Sequence, residues 1–236
     1  MSPEPTLPPD TPLSKLPHFD PRAVPVQRID SDLPPVPAQR LAPEALRARF
    51  AMPPSWEPEI RAEPRFTDRK PARAAVLVPV VMRERPTVLL TERATQLSTH
   101  SGQVAFPGGK CDDTDCDVAD TALREALEEV GLERDLSDVL GTLPTYTTGT
   151  MFLVTPVVAL VRPDHHLRLN PHEVADAFEV PLDFLMNPAH HRRHHIDVNG
   201  LSRSWYSMPY MDGMRERFIW GATAAMLRNF YRFLAA

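Results

Sequence analysis

The amino-acid sequence predicts an α/β fold in layers, preceded by a proline-rich extension. Ala74 to Met82 is an almost continuous Val-rich apolar run, which is typical of a strand buried on both faces. Val118 to Val130 and Ile219 to Leu234 carry apolar residues every three or four positions, which is typical of amphipathic helices. Seventeen of the 27 prolines lie within residues 1–71, and the first glycine is Gly102.

Residues 1–71 form this extension, and their composition predicts no core of their own. A proline-rich chain without glycine favours extended polyproline II structure. Residues 1 to about 40 are therefore expected to be largely disordered or draped over the surface. Pro43 to Phe50 predicts one short helix, because proline is favoured in a first helical turn. A protein-interaction tail is the functional alternative, and the globular domain is expected to span residues 72–236.

The remaining elements of the domain follow from short apolar or alternating segments. Pro156 predicts an edge position or a bulge for its strand, and Val180 to Leu185 favours a short helix or turn. No internal repeat is found. Five further strands are predicted, over Thr87–Thr91, Gln103–Phe106, Val139–Tyr146, Phe152–Val161 and Ser204–Tyr210.

The helix predicted over Val118 to Val130 carries three carboxylates on one face. Glu125, Glu128 and Glu129 stand at offsets 0, +3 and +4, which face the same side of an α-helix. Like charges at this spacing repel, and a bound divalent cation would explain why they are kept together. Carboxylate oxygens suit Mg²⁺ or Mn²⁺. The alternative is a solvated acidic face. Arg124, four residues before Glu128, can pair with it.

The stretch from Gly109 to Leu132 resembles the signature of the Nudix hydrolase family. That signature is glycine, five residues, glutamate, seven residues, then Arg-Glu-apolar-x-Glu-Glu-x-Gly-apolar. Asp115 replaces the first glutamate, and the spacing from Asp115 to Arg124 is one residue longer. The half that carries the metal chemistry is intact. The resemblance implies a mixed sheet sandwiched between helices, and a metal-dependent hydrolase acting on pyrophosphate bonds.

A second motif is similar to the signature of coenzyme A pyrophosphatases within this family. It runs from Leu89-Leu90-Thr91-Glu92-Arg93-Ala94 through Gly102 to Phe106-Pro107-Gly108-Gly109, and Ser98 stands where the signature has a second arginine. The resemblance implies hydrolysis of coenzyme A or its thioesters to 3′,5′-ADP and 4′-phosphopantetheine or its acyl form. The alternatives are another nucleoside diphosphate substrate, such as ADP-ribose or NADH, or a Nudix-fold binding protein without catalysis.

The resemblance also implies roles for particular residues. The three carboxylates of the signature would hold Mg²⁺ or Mn²⁺, and Arg124 would orient them. One of these glutamates or the loop residue Glu173 would accept a proton from water. Which carboxylate is the base stays open. Arg93 would grip a substrate phosphate with its planar fork, and two glycines would leave room for the phosphates. The candidate site thus comprises Glu125, Glu128, Glu129, Arg124, Glu173, Arg93, Gly108 and Gly109.

Three further groups of residues have both a functional and a structural interpretation. Zinc at Cys111 and Cys116 is disfavoured, because no histidine lies at a ligand spacing from them. Tyr146 and Phe178 are expected to pack in the core, with the substrate cleft as the alternative. An exposed loop is expected for a basic cluster, with a metal site or a cationic patch for a substrate phosphate as alternatives. That cluster comprises His190, His191, Arg192, Arg193, His194 and His195.

The bulk properties exclude several classes of protein. A net charge of −5 and a pI of about 6.0 do not indicate the basic surface that is typical of nucleic-acid-binding proteins. Two cysteines make no disulfide framework, which favours the cytoplasm. No apolar run reaches the length of a membrane span, and the first residues lack the pattern of a secretory signal. The expected partner is a small nucleotide substrate, with no nucleic acid and no membrane, and a homodimer is left open.

Overall fold

The computed structural model describes residues 19–65, 67–94, 102–198 and 201–236. Ser98 lies outside the described residues. The helices are α1 (Pro43–Ala51), α2 (Val118–Val130), α3 (Leu182–Leu185) and α4 (Gly221–Ala235). The strands are β1 (Val26–Ile29), β2 (Ala72–Val81), β3 (Thr87–Arg93), β4 (Val104–Ala105), β5 (Gly108–Lys110), β6 (Ser137–Thr142), β7 (Tyr146–Thr147), β8 (Phe152–Val161), β9 (Val174–Pro181), β10 (Arg192–Val198), β11 (Leu201–Asp212) and β12 (Arg215–Trp220).

A mixed sheet in the order β4-β3-β2-β8-β6 forms the centre of the molecule. Strands β2 and β8 are parallel, whereas the other pairs are antiparallel, and β5, β7 and β9 extend the sheet beside β2, β8 and β3. Helix α2 packs on one face through Ala122, Ala126 and Val130, which share a core with Leu77 and neighbouring strand residues. A larger core covers the other face, with side chains from α1, α4 and a second sheet. The predicted mixed sheet between helices is therefore confirmed.

The second sheet has the order β1-β10-β11-β12, and all its strand pairs are antiparallel. It recruits the proline-rich segment, because β1 pairs with β10. Val36, Leu41 and Leu46 are buried in the main core, and the carboxylate of Asp30 is fully buried. The short helix predicted near Pro43 is present as α1. For residues 19–40 the expectation of a disordered or surface-draped segment needs correction, because part of this stretch belongs to the packed fold. Residues 1–18 lie outside the described residues.

The basic histidine cluster does not form the exposed loop that its composition predicts. Most of it belongs to β10, in the interior of the second sheet. His191 and His194 are buried, and His194 stacks on Trp205 with ring centroids 5.4 Å apart. Arg193 forms ion pairs with carboxylates of the extension. The cluster is thus a structural part of the interface between sheet and extension.

Two further predictions change at their boundaries. The closing helix begins at Gly221, whose φ of 61° interrupts the regular backbone. Ile219 therefore lies in strand β12, which ends at Trp220, instead of starting the helix. Pro156 lies in β8, in the middle of the sheet. Its carbonyl accepts the Leu143 N–H at 2.9 Å, between the segments that pair with β6 and β7. The missing N–H of the proline is tolerated because the neighbouring ladder is already interrupted there.

Among the described residues, every helix is too short or too polar to span a lipid bilayer.

Candidate active site

Helix α2 is positioned by well-defined ends and by its apolar face. The Asp117 carboxylate accepts the Asp120 N–H at 2.8 Å and caps the first turn. Gly131 ends the helix in the left-handed conformation, with φ at 69°. Ala122 and Ala126 pack on the sheet, and Glu125 and Glu129 lie against Gly109 and Gly108 of strand β5.

Arg124 is the centre of an ion network on this helix. Its guanidinium donates to both oxygens of Asp115 at 2.9 and 3.0 Å and to Glu125 at 2.9 Å. It also reaches Glu128 at 3.3 Å and the carbonyl of Lys110 at 3.2 Å. The Arg124 guanidinium keeps the pKa of Asp115 well below its usual range. Asp115 is therefore the fixed anchor of Arg124.

Glu129 is the most buried carboxylate of the site, with 3% of its surface exposed. One oxygen accepts the Gly108 N–H at 3.2 Å, and the other lies 3.9 Å from the Arg93 guanidinium. Burial raises the pKa of Glu129 to about 7, although the Gly108 N–H and the charge of Arg93 oppose the rise. An anion held in this way is poorly solvated and is stabilised by any cation that approaches it.

Glu125 requires glycine on the strand that passes above it. Gly109 of β5 pairs with Ala75 of β2, and a Cβ built on Gly109 would lie 2.4 Å from the Glu125 carboxyl carbon. A Cβ on Gly108 would likewise lie 2.5 Å from the Ala75 carbonyl oxygen. Any larger residue at these positions would displace the carboxylate or the strand. The two glycines therefore serve the packing of β5 against α2, in addition to the room for phosphates implied by the family resemblance.

Glu128 differs from its two neighbours because its side chain is 54% exposed. Arg124 lies between Glu125 and Glu128, while Glu129 turns inward to Gly108. In the described part of the chain no three acidic, histidine or cysteine side chains are gathered into a ready metal cage. A cleft of about 230 Å³ adjoins Glu125 and Arg124, and its remaining lining is the segment from Lys110 to Asp113. Of the three carboxylates, Glu125 thus lines the open polar cleft, whereas Glu129 is buried against Gly108 and Glu128 faces solvent.

Glu173 comes to the same site from the loop before β9. Its carbonyl accepts the Ala94 N–H at 2.9 Å, next to Arg93, and its carboxylate accepts from the Asn170 side chain at 2.9 Å. The Asn170 N–H in turn donates to the Glu129 carbonyl at 2.9 Å. The charge of Glu173 helps to raise the pKa values of Glu125 and Glu129, although burial has the largest effect on both. Asn170 is a site residue that sequence analysis missed, and its position three residues before Glu173 is the only signal for it.

Two aromatic side chains considered from sequence lie elsewhere. Tyr146 is buried and donates its hydroxyl to Glu63 at 3.0 Å. Phe178 is buried beneath the Arg217 guanidinium, which lies 4.2 Å from its ring centre. Both belong to the core, as expected. Cys111 and Cys116 are free, and the described residues offer them no zinc-binding partners.

Residues 71–198 match the model of the NUDIX domain family. A curated relative from an Enterobacter species, "Uncharacterized Nudix hydrolase NudL", is 41% identical over 157 residues, which cover 66% of this chain and 80% of the relative. A protein of the same name from Cronobacter sakazakii is 44% identical with the same coverage. Among solved structures, a C. elegans Ap4A hydrolase in a binary complex shares 21% identity at a TM-score of 0.41, covering 50% of this chain and 85% of that one.

The family model covers more than half of the chain, and the curated relatives align over most of their length. The acidic helix packed on a mixed sheet agrees with that assignment. Nudix hydrolases generally need divalent metal ions such as Mg²⁺ or Mn²⁺. The chain belongs to the Nudix family and is a hydrolase that acts on pyrophosphate bonds.

Proposed function

We propose that this hydrolase cleaves the pyrophosphate bond of coenzyme A or acyl-coenzyme A, with 3′,5′-ADP and (acyl-)4′-phosphopantetheine as products. The observation that carries the proposal is a meeting of two segments of the second motif. Arg93 from its first half and Gly108 from its second half both contact Glu129, one by charge and one by an N–H group. The two ends of the motif thus meet at one carboxylate of the acidic helix.

The carboxylates of α2 fit a divalent cation. They are oxygen donors, Glu125 lines an open cleft, and burial makes Glu129 and Glu125 poorly solvated anions. Glu125, Glu128 and Glu129 would hold Mg²⁺ or Mn²⁺. When bound, the metal would neutralise charge on the diphosphate and lower the pKa of water.

The other residues of the site bind, orient and accept protons. Arg124 holds Glu125 and Glu128 in place through its anchor on Asp115. Arg93 offers its fork to a substrate phosphate, since its Nε has no hydrogen-bond partner among the described residues. Glu173 is fixed by Asn170 close enough to the carboxylates to influence their pKa values. It is therefore a candidate base, alongside the three glutamates of α2.

Other nucleoside diphosphates are the second candidate class of substrate. The serine at position 98 removes one arginine of the coenzyme A motif, which favours keeping ADP-ribose and NADH as alternatives. A binding protein without catalysis is disfavoured, because a pure binder has no need of all three carboxylates Glu125, Glu128 and Glu129.

The test is a panel of substrates compared by kcat/KM in the presence of Mg²⁺ or Mn²⁺. The panel contains coenzyme A, an acyl-coenzyme A, 3′-dephospho-coenzyme A, ADP-ribose and NADH. We expect coenzyme A or its thioester to have the highest value. Efficient hydrolysis of ADP-ribose with little hydrolysis of coenzyme A would refute the proposed substrate and leave the family assignment intact.

A further inference from the structure

A cluster of charges behind Arg93 takes no part in the chemistry proposed above. It joins Arg215 and Arg217 of β12 to Glu92 of β3, Asp176 of β9 and Asp212 of β11, and we call it the hairpin clasp. The clasp connects the hairpin β11–β12 of the second sheet to the edge of the main sheet.

The contacts of the clasp are short and several are shared. Arg217 reaches Asp176 at 2.7 Å, Asp212 at 2.9 Å and Glu92 at 3.1 Å, and its side chain is only 7% exposed. Arg215 donates to both oxygens of Glu92 at 2.7 Å and reaches Asp176 at 3.2 Å. Both arginines therefore bind the same two carboxylates from the main sheet.

Those two carboxylates need the arginines because they are direct neighbours. Glu92 and Asp176 are paired across β3 and β9. Like charges directly opposite each other destabilise a strand pair. Arg217 lies over the Phe178 ring at 4.2 Å, so its charge is held firmly between them. Without the hairpin, this end of the β3–β9 pair would be pushed apart.

The repulsive pair stands immediately before the site. The register of β3 and β9 shifts after Glu92, so that Arg93 is opposite Val174 and Ala175 is the extra residue of a β-bulge. Bulges commonly redirect side chains beside functional sites. Beyond this bulge the Ala94 N–H donates to the Glu173 carbonyl at 2.9 Å. Arg93, at the end of β3, and Glu173, in the loop before β9, are thus held together across the bulge.

We propose that Arg215 and Arg217 are positioning residues, which hold the bulge closed so that Arg93 and Glu173 face the carboxylates of α2. The proposal rests on the function proposed for Arg93 and Glu173. It predicts that loss of the clasp opens the Ala94–Glu173 contact and weakens catalysis, although neither arginine touches the carboxylates of α2 in the described contacts.

The first test is Arg217→Met, which removes the charge and keeps an apolar side chain over Phe178. Exchange of the Ala94 amide with solvent, measured by NMR, should become at least about 10-fold faster, because its bond to Glu173 opens locally. On whichever pyrophosphate substrate the wild type cleaves best, kcat/KM should fall roughly 10- to 100-fold, the scale of an ångström-level misplacement. The matched control is Arg83→Met, which removes a bidentate ion pair with Glu179 at the far end of the same strand pair.

The second test is rescue. In the triple variant Glu92→Gln, Asp176→Asn, Arg217→Met, the repulsive charges are gone, so both amide exchange and kcat/KM should return to within about 3-fold of wild type. If Arg217→Met does not fold, Arg215→Met takes its place, because Arg215 is more exposed and shares both carboxylates.

Unchanged Ala94 exchange in the arginine variant, or the same loss in the Arg83 control, would overturn the proposal. So would a triple variant that stays as impaired as the single one. The exchange measurement needs no substrate. A wild-type protein that does not cleave coenzyme A would therefore refute the proposed function without deciding the role of the clasp.

Discussion

Burial and two arginines, Arg93 and Arg124, shift the pKa values of single carboxylates in the site. The sequence spacing predicts that Arg124 pairs with Glu128, and this contact is present at 3.3 Å. The anchor of Arg124 on Asp115 could not be predicted, because it depends on the path of the loop from Cys111 to Asp117. The burial of Glu129 could not be predicted either. Its offset from Glu125 and Glu128 shows that the three side chains share a helix face, but it does not show how deeply each is buried.

Glu129→Gln should lower kcat by about two to four orders of magnitude, the scale expected for a key catalytic group. The amide keeps the shape of the side chain but removes the charge proposed to bind the metal. The fold should survive with equal or greater stability, because a poorly solvated carboxylate is removed. The measurements are steady-state kinetics across a Mg²⁺ titration and a thermal melt.

The matched control for this variant is Glu133→Gln, just beyond the end of α2. Glu133 is half-exposed and its ion pair is a 3.7 Å contact with Arg168. Its turnover should equal that of wild type. Near-normal turnover of Glu129→Gln in saturating Mg²⁺ would remove Glu129 from the proposed metal site.

Arg93→Ala should lower kcat/KM for coenzyme A by about 10- to 150-fold, which corresponds to losing a charge-assisted contact of roughly 1.5 to 3 kcal/mol. If Arg93 contacts the 3′-phosphate, the loss should be small for 3′-dephospho-coenzyme A. If it contacts the diphosphate, both substrates should lose equally. The control is Arg85→Ala, because Arg85 pairs with Asp183 on the surface. Unchanged kinetics for both substrates would show that Arg93 does not contact the ligand.

At the scale of elements, the local sequence pattern predicts the position of an element correctly where that element is apolar or strongly periodic. The buried strands β2 and β8 and helix α2 lie where their sequences predict. Strand β10 was missed because its sequence is mostly basic and polar, and it is stabilised by distant partners in the extension. Strand β12 was partly absorbed into the predicted closing helix, since Ile219 and Trp220 also fit helical spacing.

Deleting residues 1–40 should destabilise the protein, contrary to what the composition of this segment suggests. The deletion removes β1 and the buried Asp30, which lies 3.1 Å from the equally buried Arg228. Removing one partner of a buried ion pair typically costs about 3 to 5 kcal/mol. Because Glu59 still pairs with Arg228, the loss should lie at or below the lower end of this range. Urea denaturation of the deletion and of Asp30→Ala would measure the loss. Asp32→Ala is the control, because Asp32 is exposed and binds the exposed Arg28. A deletion variant as stable as wild type would contradict the packing described for β1.

At the scale of the whole molecule, one buried network joins the extension, the second sheet and the last helix. Arg228 of α4 binds Asp30 at 3.1 Å and Glu59 at 2.8 Å. It also donates to His191 Nδ1 at 3.1 Å, and His191 Nε2 lies 2.8 Å from the Leu185 carbonyl. His191 is therefore neutral, with its proton on Nε2. Such a network joins segments about 200 residues apart, which is why no local pattern in the sequence predicts it.

Acid should destabilise the fold partly through His191. Burial, aided by Arg228, lowers the pKa of His191 to about 4, whereas an unfolded histidine titrates near 6.5. The unfolded chain therefore binds the proton first as the pH falls. The free energy of unfolding should fall by up to about 3 kcal/mol between about pH 6.5 and about pH 4.

The measurement is urea denaturation at a series of pH values for wild type and His191→Gln. The pKa values of His190 and His194 are also lowered by burial, so the comparison between the two proteins isolates His191. The variant should show a shallower loss of stability in this range. Parallel pH profiles for the two proteins would show that His191 does not carry the effect.

The most direct test of the proposed activity is the identification of products from coenzyme A. Wild-type protein with Mg²⁺ or Mn²⁺ should release equal amounts of 3′,5′-ADP and 4′-phosphopantetheine, resolved by chromatography and mass spectrometry. EDTA should abolish both products, and Glu129→Gln should form them at least about 100-fold more slowly. Intact coenzyme A after prolonged incubation, or cleavage at any bond other than the pyrophosphate, would contradict the proposed function.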